Sequence, residues 1–180
     1  MKRTTYSGSP PMPEVKYDRH YRESPAACGA PFPELVVMAE KHGGAGVSVL
    51  DIGCGQGRDA LLFARTGCTV VGVDHSAVGI AQLKATAKTE GLDLTAEVAD
   101  MTTYQTRVRF DIVILDRVLH MLSDDAARSA VLQTAMTAVK PGGRILIADG
   151  PKHRALIRSH LTGWILFKDT KNRTFAISPR

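Results

Sequence analysis

The sequence predicts an α/β fold, a doubly wound sandwich in which helices cover both faces of a mostly parallel sheet. Short apolar segments alternate with longer amphipathic segments between residues 47 and 161, as expected of successive βα units. Two short segments, 47–50 and 112–115, read Val-Ser-Val-Leu and Ile-Val-Ile-Leu. Such nearly continuous apolar runs are typical of strands that helices cover on both sides.

Composition and charge place the chain among ordinary globular proteins. Hydrophobic residues make up 44% and charged residues 23% of the 180 residues, which argues against disorder and is enough for one hydrophobic core. The net charge of +5 arises mainly after residue 150. We interpret this basic region as a solvated surface, with nucleic acid as the alternative partner.

Several classes of protein are not expected. No apolar run reaches the roughly 18 residues of a membrane span. The first residues also lack the apolar core of a secretory signal. We therefore expect a cytoplasmic protein without membrane contact. Cys28, Cys54 and Cys68 show no paired spacing of metal ligands. We therefore expect reduced thiols, no metal site, and a monomer or homodimer.

The chain divides into an N-terminal arm, residues 1–33, and a folded domain, residues 34–180. The arm is rich in proline and tyrosine and has no clean hydrophobic period, which predicts irregular structure with one short helix. Tyr17, Arg19, His20 and Tyr21 place aromatic and basic side chains on this arm. We interpret it as a lid that closes over a bound acceptor.

The elements of the folded domain follow from periodicity and from start and stop signals. Gly43-Gly44 ends the first helix, while Ser76 is the expected N-cap of a later helix and Gly91 its stop. The first half of the domain is predicted as a helix over 34–42, a strand over 47–51, a helix over 58–65, a strand over 69–74 and a helix over 76–90.

The second half of the domain continues the alternation and closes with a hairpin. A helix over 124–139 has Leu132, Ala135, Met136 and Val139 as its buried stripe, and Pro141-Gly142-Gly143 is expected to break it. The remaining elements are predicted as strands over 95–99, 110–116 and 144–148, a basic helix over 152–161, and a hairpin of 164–168 with 174–178.

Ligands of open parallel sheets bind at the carboxyl ends of the strands, and the first strand here ends in an acidic residue and a glycine turn. Gly53, Gly55 and Gly57 remove side chains after Asp51, so a ligand can approach the backbone closely. Arg58 stands where a dinucleotide fingerprint needs its third glycine. Because Asp51 would repel a pyrophosphate, the charges favour a sulfonium amino acid over NAD.

Two further strand ends complete a predicted nucleoside site. Asp74 ends the second strand, where its carboxylate can accept hydrogen bonds from both hydroxyls of a ribose. The adjacent His75 is included in the predicted site. Asp100 follows the third strand beside Met101, which places an acceptor for an exocyclic amine next to an apolar surface for adenine.

Four segments are specific as an ordered set: 49–57, 72–74, 110–113 and 140–143. They resemble the successive motifs of class I S-adenosylmethionine-dependent methyltransferases. The resemblance implies a Rossmann-like, seven-stranded sheet with a C-terminal antiparallel hairpin, and S-adenosylmethionine as cofactor. It implies that Asp51 and the glycine turn lie near the methionine end, Asp74 at the ribose, and Asp100 with Met101 at the adenine.

The candidate catalytic residues depend on the acceptor. Methyl transfer from a sulfonium is an in-line displacement that relies on alignment and desolvation. An alcohol or amine acceptor also needs a base, for which His20, Asp116 and His120 are the candidates. The family places the segment around Asp116 and His120 beside cofactor and acceptor. Asp149, at the end of the fifth strand, is interpreted as structural.

The acceptor itself is left open. A narrower resemblance to small bacterial tellurite-resistance and thiopurine-type enzymes implies a small molecule, a thiol or chalcogen oxyanion, with Arg19, Arg22 or Arg117 receiving the anion. RNA or protein methylation is a second possibility, although the fourth strand lacks the Asn/Asp-Pro-Pro-aromatic sequence of base amino methylation. A third is a protein that binds S-adenosylmethionine without transferring its methyl group.

Overall fold

The computed structural model describes residues 16–24 and 26–180. Residues 1–15 and Pro25, which belong to the predicted arm, lie outside the described residues. The helices are α1 Lys16–Glu23, α2 Pro33–His42, α3 Arg58–Arg65, α4 Ala77–Glu90, α5 Asp125–Thr137 and α6 Arg154–His160. The strands are β1 Ser48–Ile52, β2 Thr69–Asp74, β3 Leu94–Val98, β4 Phe110–Asp116, β5 Val139–Ala148, β6 Ile165–Asp169 and β7 Arg173–Ile177.

The strands form one seven-stranded sheet in the order β3-β2-β1-β4-β5-β7-β6. Strands β1 to β5 pair in parallel, whereas β7 pairs antiparallel with both β5 and β6. The predicted α/β fold with a C-terminal hairpin is therefore confirmed. The strand order reverses between β1 and β4, which creates a crevice at their carboxyl ends.

Both faces of the sheet are buried, as the apolar runs predict. On β4, Ile112 and Ile114 pack with α2, α3 and α4, while Val113 and Leu115 pack with α5 and α6. All four side chains are at most 1% exposed. The strands must be continuously apolar because each successive side chain enters one of two separate cores.

The end of α5 and the start of β5 differ from the prediction. Helix α5 ends at Thr137, and β5 begins at Val139 and includes the Pro-Gly-Gly segment that was expected to break a helix. The backbone N–H of Phe110 donates to Ala138 O (2.8 Å), and the register between β4 and β5 then shifts. Gly142 accommodates this bulge with φ of 75°, a conformation that glycine adopts readily. Val139 is buried, but in a strand.

The predicted caps are confirmed. Ser76 Oγ accepts a hydrogen bond from the backbone N–H of Gly79 (3.0 Å), and Gly91 ends α4 with φ of 64°. The short helix predicted within the arm is α1, which packs against α4. In the described part of the chain, no helix has the length and apolarity needed to span a bilayer.

Candidate functional site

A cavity of about 750 Å³ lies at the carboxyl ends of β1, β2 and β4 and is bordered by the arm. It brings together most of the residues that the sequence predicts for the site. The predicted residues that line it are Tyr17, His20, Tyr21, Asp51, Gly53, Asp74, His75, Met101, Asp116, Arg117 and His120. Residues far apart in the sequence thus share one space at the predicted edge of the sheet.

Asp74 is held in a fixed orientation by the backbone. One carboxylate oxygen accepts from the N–H of Gly55 (2.8 Å) and the other from the N–H of Ser76 (2.7 Å). Burial raises the pKa of Asp74, and these two hydrogen bonds oppose that rise. Since each carboxylate oxygen can accept more than one hydrogen bond, both can still receive donors from a ribose.

Asp51 is buried at the carboxyl end of β1. Burial raises its pKa well above the ordinary value; the nearby Asp59 carboxylate adds to the rise, while Arg58 opposes it. A buried carboxylate in such surroundings is stabilised by an additional cation. The cationic end of an amino-acid ligand would supply one.

The three glycines of the turn have different roles. Gly53 lines the cavity with φ of 80°, and a side chain there would collide with Val118. A Cβ on Gly55 would lie 2.5 Å from the Tyr21 hydroxyl, and one on Gly57 would collide with Leu83. Gly55 and Gly57 thus leave room for Tyr21 and α4, and the approach of a ligand to all three glycines stays a prediction.

Besides Gly55 and Gly57, the predicted residues Asp100, Arg19 and Arg22 lie outside the cavity lining. Asp100 is exposed, and one of its carboxylate oxygens accepts from both the backbone N–H and the hydroxyl of Thr102 (2.8 Å each). These bonds lower the pKa of Asp100 and turn its carboxylate towards its own loop, whereas Met101 does line the cavity. Arg19 is exposed on α1 and does not contribute to the lining.

Arg58 is the main residue that sequence reasoning missed, since we considered it only as a substitute for a glycine. Its guanidinium pairs with Asp59 (2.6 Å) and with Asp116, and it donates to Cys28 O (3.3 Å). Only 8% of its side chain is exposed. The available signal was an arginine directly after the turn in a region rich in aspartates.

Asp116 retains unused acceptor capacity. Both of its carboxylate oxygens are buried and have no hydrogen-bond partner among the described residues, although Arg58 forms an ion pair with one of them and Arg117 with the other (3.7 Å). Buried polar atoms are normally hydrogen-bonded. Because Asp116 lines the cavity, its carboxylate is available to a donor group of a ligand.

His120, which lines the cavity, forms a pair with Asp149. His120 lies in a 3₁₀ turn, Leu119–Met121, and its Nδ1 lies 3.6 Å from an Asp149 carboxylate oxygen that also accepts the His120 N–H (3.2 Å). The Asp149 side chain is 1% exposed and that of His120 is 48% exposed. Asp149 can thus orient the His120 ring, in addition to its predicted structural role.

Arg117 and His20 also line the cavity. Arg117 has φ of 56°, an uncommon conformation for a residue other than glycine. Its guanidinium donates to Cys28 O (3.1 Å) and lies 5.6 Å from the centre of the Phe32 ring. His20, on α1, lies beside the rings of Tyr17 and Tyr21. No cluster of three or more metal-ligating side chains occurs among residues 16–24 and 26–180.

The sequence matches a family model described as "Methyltransferase domain" over residues 49–143, more than half of the chain. The chain belongs to the class I S-adenosylmethionine-dependent methyltransferase family. S-adenosylmethionine is the cofactor of this family, which confirms the cofactor that the resemblance implied.

Two relatives illustrate the range of this methyltransferase family. A ubiquinone biosynthesis O-methyltransferase of Rhodopseudomonas palustris is 35% identical over 103 residues, 57% of this chain and 39% of that protein. A 2-heptyl-1-hydroxyquinolin-4(1H)-one methyltransferase of Mycobacteroides abscessus is 31% identical over 128 residues, 68% of this chain and 54% of that protein. The chain therefore spans about two fifths to just over one half of the length of these relatives.

The crystal structure of TehB from Haemophilus influenzae matches with a TM-score of 0.72 and 18% identity, over 91% of this chain and 67% of TehB. At that identity the match shows the fold of the methyltransferase alone. The Rossmann-like arrangement expected from the sequence is confirmed by it.

Proposed function

We propose that this chain transfers the methyl group of S-adenosylmethionine to a small molecule, and that the arm and the loop after β4 hold the acceptor. The observation that carries the proposal is that Asp74 and His120 line one and the same cavity. A carboxylate suited to a ribose thus shares a space with a candidate base. Such an arrangement can align two reactants, which is the main requirement of an in-line displacement.

The cofactor half of the cavity is assigned to four residues. Asp74 would accept hydrogen bonds from the ribose hydroxyls, and Asp51 and Asp116 would face the cationic amino-acid end. Arg58 would neutralise these carboxylates and meet the carboxylate of the cofactor. When bound, S-adenosylmethionine supplies an activated methyl group on a sulfonium. The chain supplies orientation and a site partly shielded from water.

A hydroxyl acceptor is supported by the pair of His120 and Asp149. The Nε2 atom of His120 could take the hydroxyl proton while Asp149 stabilises the ring on its Nδ1 side. The names of two relatives support a small molecule, since one is a ubiquinone biosynthesis O-methyltransferase and the other a 2-heptyl-1-hydroxyquinolin-4(1H)-one methyltransferase.

A thiol or chalcogen oxyanion is the second candidate acceptor. Arg117 and His20 line the same cavity, where the guanidinium would attract an anion and the ring could donate a hydrogen bond to it. A soft anion needs no base, so this candidate predicts that His120 is dispensable. RNA is less favoured because Arg154 and Arg158 of the basic region already pair with Asp169.

The first experiment titrates the purified protein with S-adenosylhomocysteine and with NAD by calorimetry. We expect S-adenosylhomocysteine alone to bind. Binding of NAD, or of neither ligand, would contradict the proposal.

The second experiment incubates the protein with S-adenosylmethionine and a catechol, an aromatic thiol or selenite, and detects the methylated product by mass spectrometry. If a hydroxyl is the acceptor, His120→Asn should lower turnover by about 100-fold, the typical contribution of a base. If a soft anion is the acceptor, the variant should retain turnover. Cofactor binding without transfer to any of these acceptors would favour the third possibility, a protein that binds S-adenosylmethionine but does not transfer its methyl group.

A further inference from the structure

Gln56, in the middle of the glycine turn, points towards the arm. Its side-chain oxygen accepts a hydrogen bond from the backbone N–H of Ala27 (3.0 Å), and its side-chain nitrogen donates to Ser24 O (2.8 Å). Gln56 is outside the lining of the cavity. The side chain at the centre of the cofactor turn is therefore committed to the arm and does not face the cavity.

A second glutamine continues this contact from α4. Gln82 accepts a hydrogen bond from the Gln56 side-chain nitrogen (2.8 Å) and donates to Tyr21 O (2.9 Å). Two adjoining carboxamides thus connect three parts of the chain: the glycine turn, α4 and the arm. Both side chains are half-buried, which strengthens hydrogen bonds relative to those exposed to water.

The two glutamines donate hydrogen bonds to backbone carbonyl groups at the C-terminal end of α1. The last carbonyl groups of a helix have no partners within the helix, and the carbonyls of Tyr21 and Ser24 lie at this end of α1. A helix of 8 residues is far shorter than the roughly 12 to 15 residues needed for stability alone. Its docking on the cavity therefore depends on contacts such as these.

We propose that Gln56 and Gln82 form an amide latch, which holds α1 and the described residues after it, 26–28, at the cavity and couples them to the cofactor turn. The inference rests on the proposed function. Both glutamines are positioning residues: they act through Tyr17, His20 and Tyr21, the arm residues that line the cavity. The latch makes closure of the acceptor site depend on the state of the cofactor site.

The coupling has a direct structural route. Gln56 lies between Gly55, whose N–H donates to Asp74 (2.8 Å), and Arg58, which pairs with Asp116. A ligand that engages Asp74 and Asp116 therefore stabilises the backbone on both sides of Gln56. By linkage, a ligand that stabilises the latched turn must also stabilise the docked arm.

The test measures hydrogen exchange of the arm with and without S-adenosylhomocysteine. In the wild type, we expect the ligand to slow exchange in peptides covering residues 16–28 by about tenfold, within the usual range of coupling between sites. Gln56→Glu keeps the acceptor for Ala27 but loses the donor to Ser24 and Gln82. Gln82→Ala removes the outer half of the latch without touching the turn.

Both variants should bind S-adenosylhomocysteine but lose most of the ligand-dependent slowing of exchange. Gln133→Ala, at an exposed glutamine of α5, is the matched control and should behave as the wild type. A purely structural role would raise exchange of the free protein and leave the effect of the ligand unchanged, which would overturn the latch. Thermal unfolding confirms that each variant is folded.

Failure of the latch can be distinguished from failure of the proposed function. If the wild type does not bind S-adenosylhomocysteine, the proposed function fails. If the wild type binds, and the ligand slows hydrogen exchange of residues 16–28 equally in Gln82→Ala and in the wild type, only the latch fails. Because Gln82 lies outside the turn, this variant keeps the test decisive even if Gln56→Glu weakens ligand binding.

Discussion

The two halves that we propose for the cavity, one for the cofactor and one for the acceptor, are built in different ways. The cofactor half is formed at the ends of β1 and β2, where Asp51 belongs to a strand and Asp74 is held by two backbone N–H groups. The acceptor half is formed by α1 and the loop after β4, and long side chains such as Gln56 and Arg117 hold it together. Backbone contacts fix the first half, whereas side-chain contacts fix the second. A single substitution can remove one of these side-chain contacts without changing the others.

The largest expected effect tests the cofactor half. Asp74→Ala should weaken S-adenosylhomocysteine binding by about 100-fold, because it removes two hydrogen bonds to a charged acceptor. Asp100→Ala is the matched control at the end of the neighbouring strand, and it should leave the affinity unchanged because Asp100 bonds only within its loop in the contacts described. Calorimetric titration of both variants provides the comparison.

Equal losses in the two variants would show that Asp100 contacts the cofactor after all. Because Asp74 also fixes Gly55 and Ser76, the thermal unfolding of Asp74→Ala must be measured alongside. A folded variant with unchanged affinity would contradict the assignment of Asp74 to the ribose.

The comparison also explains which features could be predicted from sequence. Asp51 and Asp74 follow from local patterns, since an apolar strand, an acidic end and a glycine turn are all visible within a few residues. Asp100 fits the same pattern, but it follows the edge strand β3. There its carboxylate accepts a hydrogen bond from the backbone N–H of Thr102. Position along a strand is visible in the sequence, whereas the direction of a side chain in the following loop is not.

The contacts of Gln56 and Arg58 could not be predicted for a different reason. Gln56 meets Ser24, and Arg58 meets Cys28 and Asp116, so their partners lie far along the chain. A single sequence has no periodicity that reports such pairs. The helix break predicted at Pro-Gly-Gly failed because the same residues that stop helices also build strand bulges.

The second expected effect tests whether the acceptor half can be altered alone. Asp149→Asn keeps an acceptor for the His120 N–H but removes the charge that supports the ring. We expect turnover of a hydroxyl acceptor to fall by about tenfold, with little change in S-adenosylhomocysteine affinity. Steady-state kinetics and calorimetry measure the two quantities separately.

A double variant sharpens this test. If Asp149 acts through His120, then adding Asp149→Asn to His120→Asn should cause little further loss of turnover, because residues that act as a unit are not additive. If the fold-losses of turnover in the two single variants instead multiply in the double variant, Asp149 has the purely structural role expected from the sequence. A parallel fall in cofactor affinity would show that the two halves of the cavity are not separable.

The smallest expected effect concerns the cost of burying a carboxylate in the cofactor half. Since burial raises the pKa of Asp51 above its ordinary value of 3.8, the folded protein binds this proton more tightly than the unfolded chain does. The free energy of unfolding therefore falls as pH rises from about 4 through the raised pKa. Asp51→Asn does not titrate, so it should be more stable than the wild type near neutral pH.

Urea unfolding of both proteins at several pH values between about 4 and 8 measures this difference. We expect the advantage of Asp51→Asn to grow with pH, while its affinity for S-adenosylhomocysteine falls by about tenfold because the cationic end of the ligand loses a charged partner. A stability difference independent of pH would contradict the raised pKa. A more stable variant that binds more weakly would show that Asp51 serves ligand binding. Its carboxylate then lowers the free energy of unfolding of the ligand-free protein.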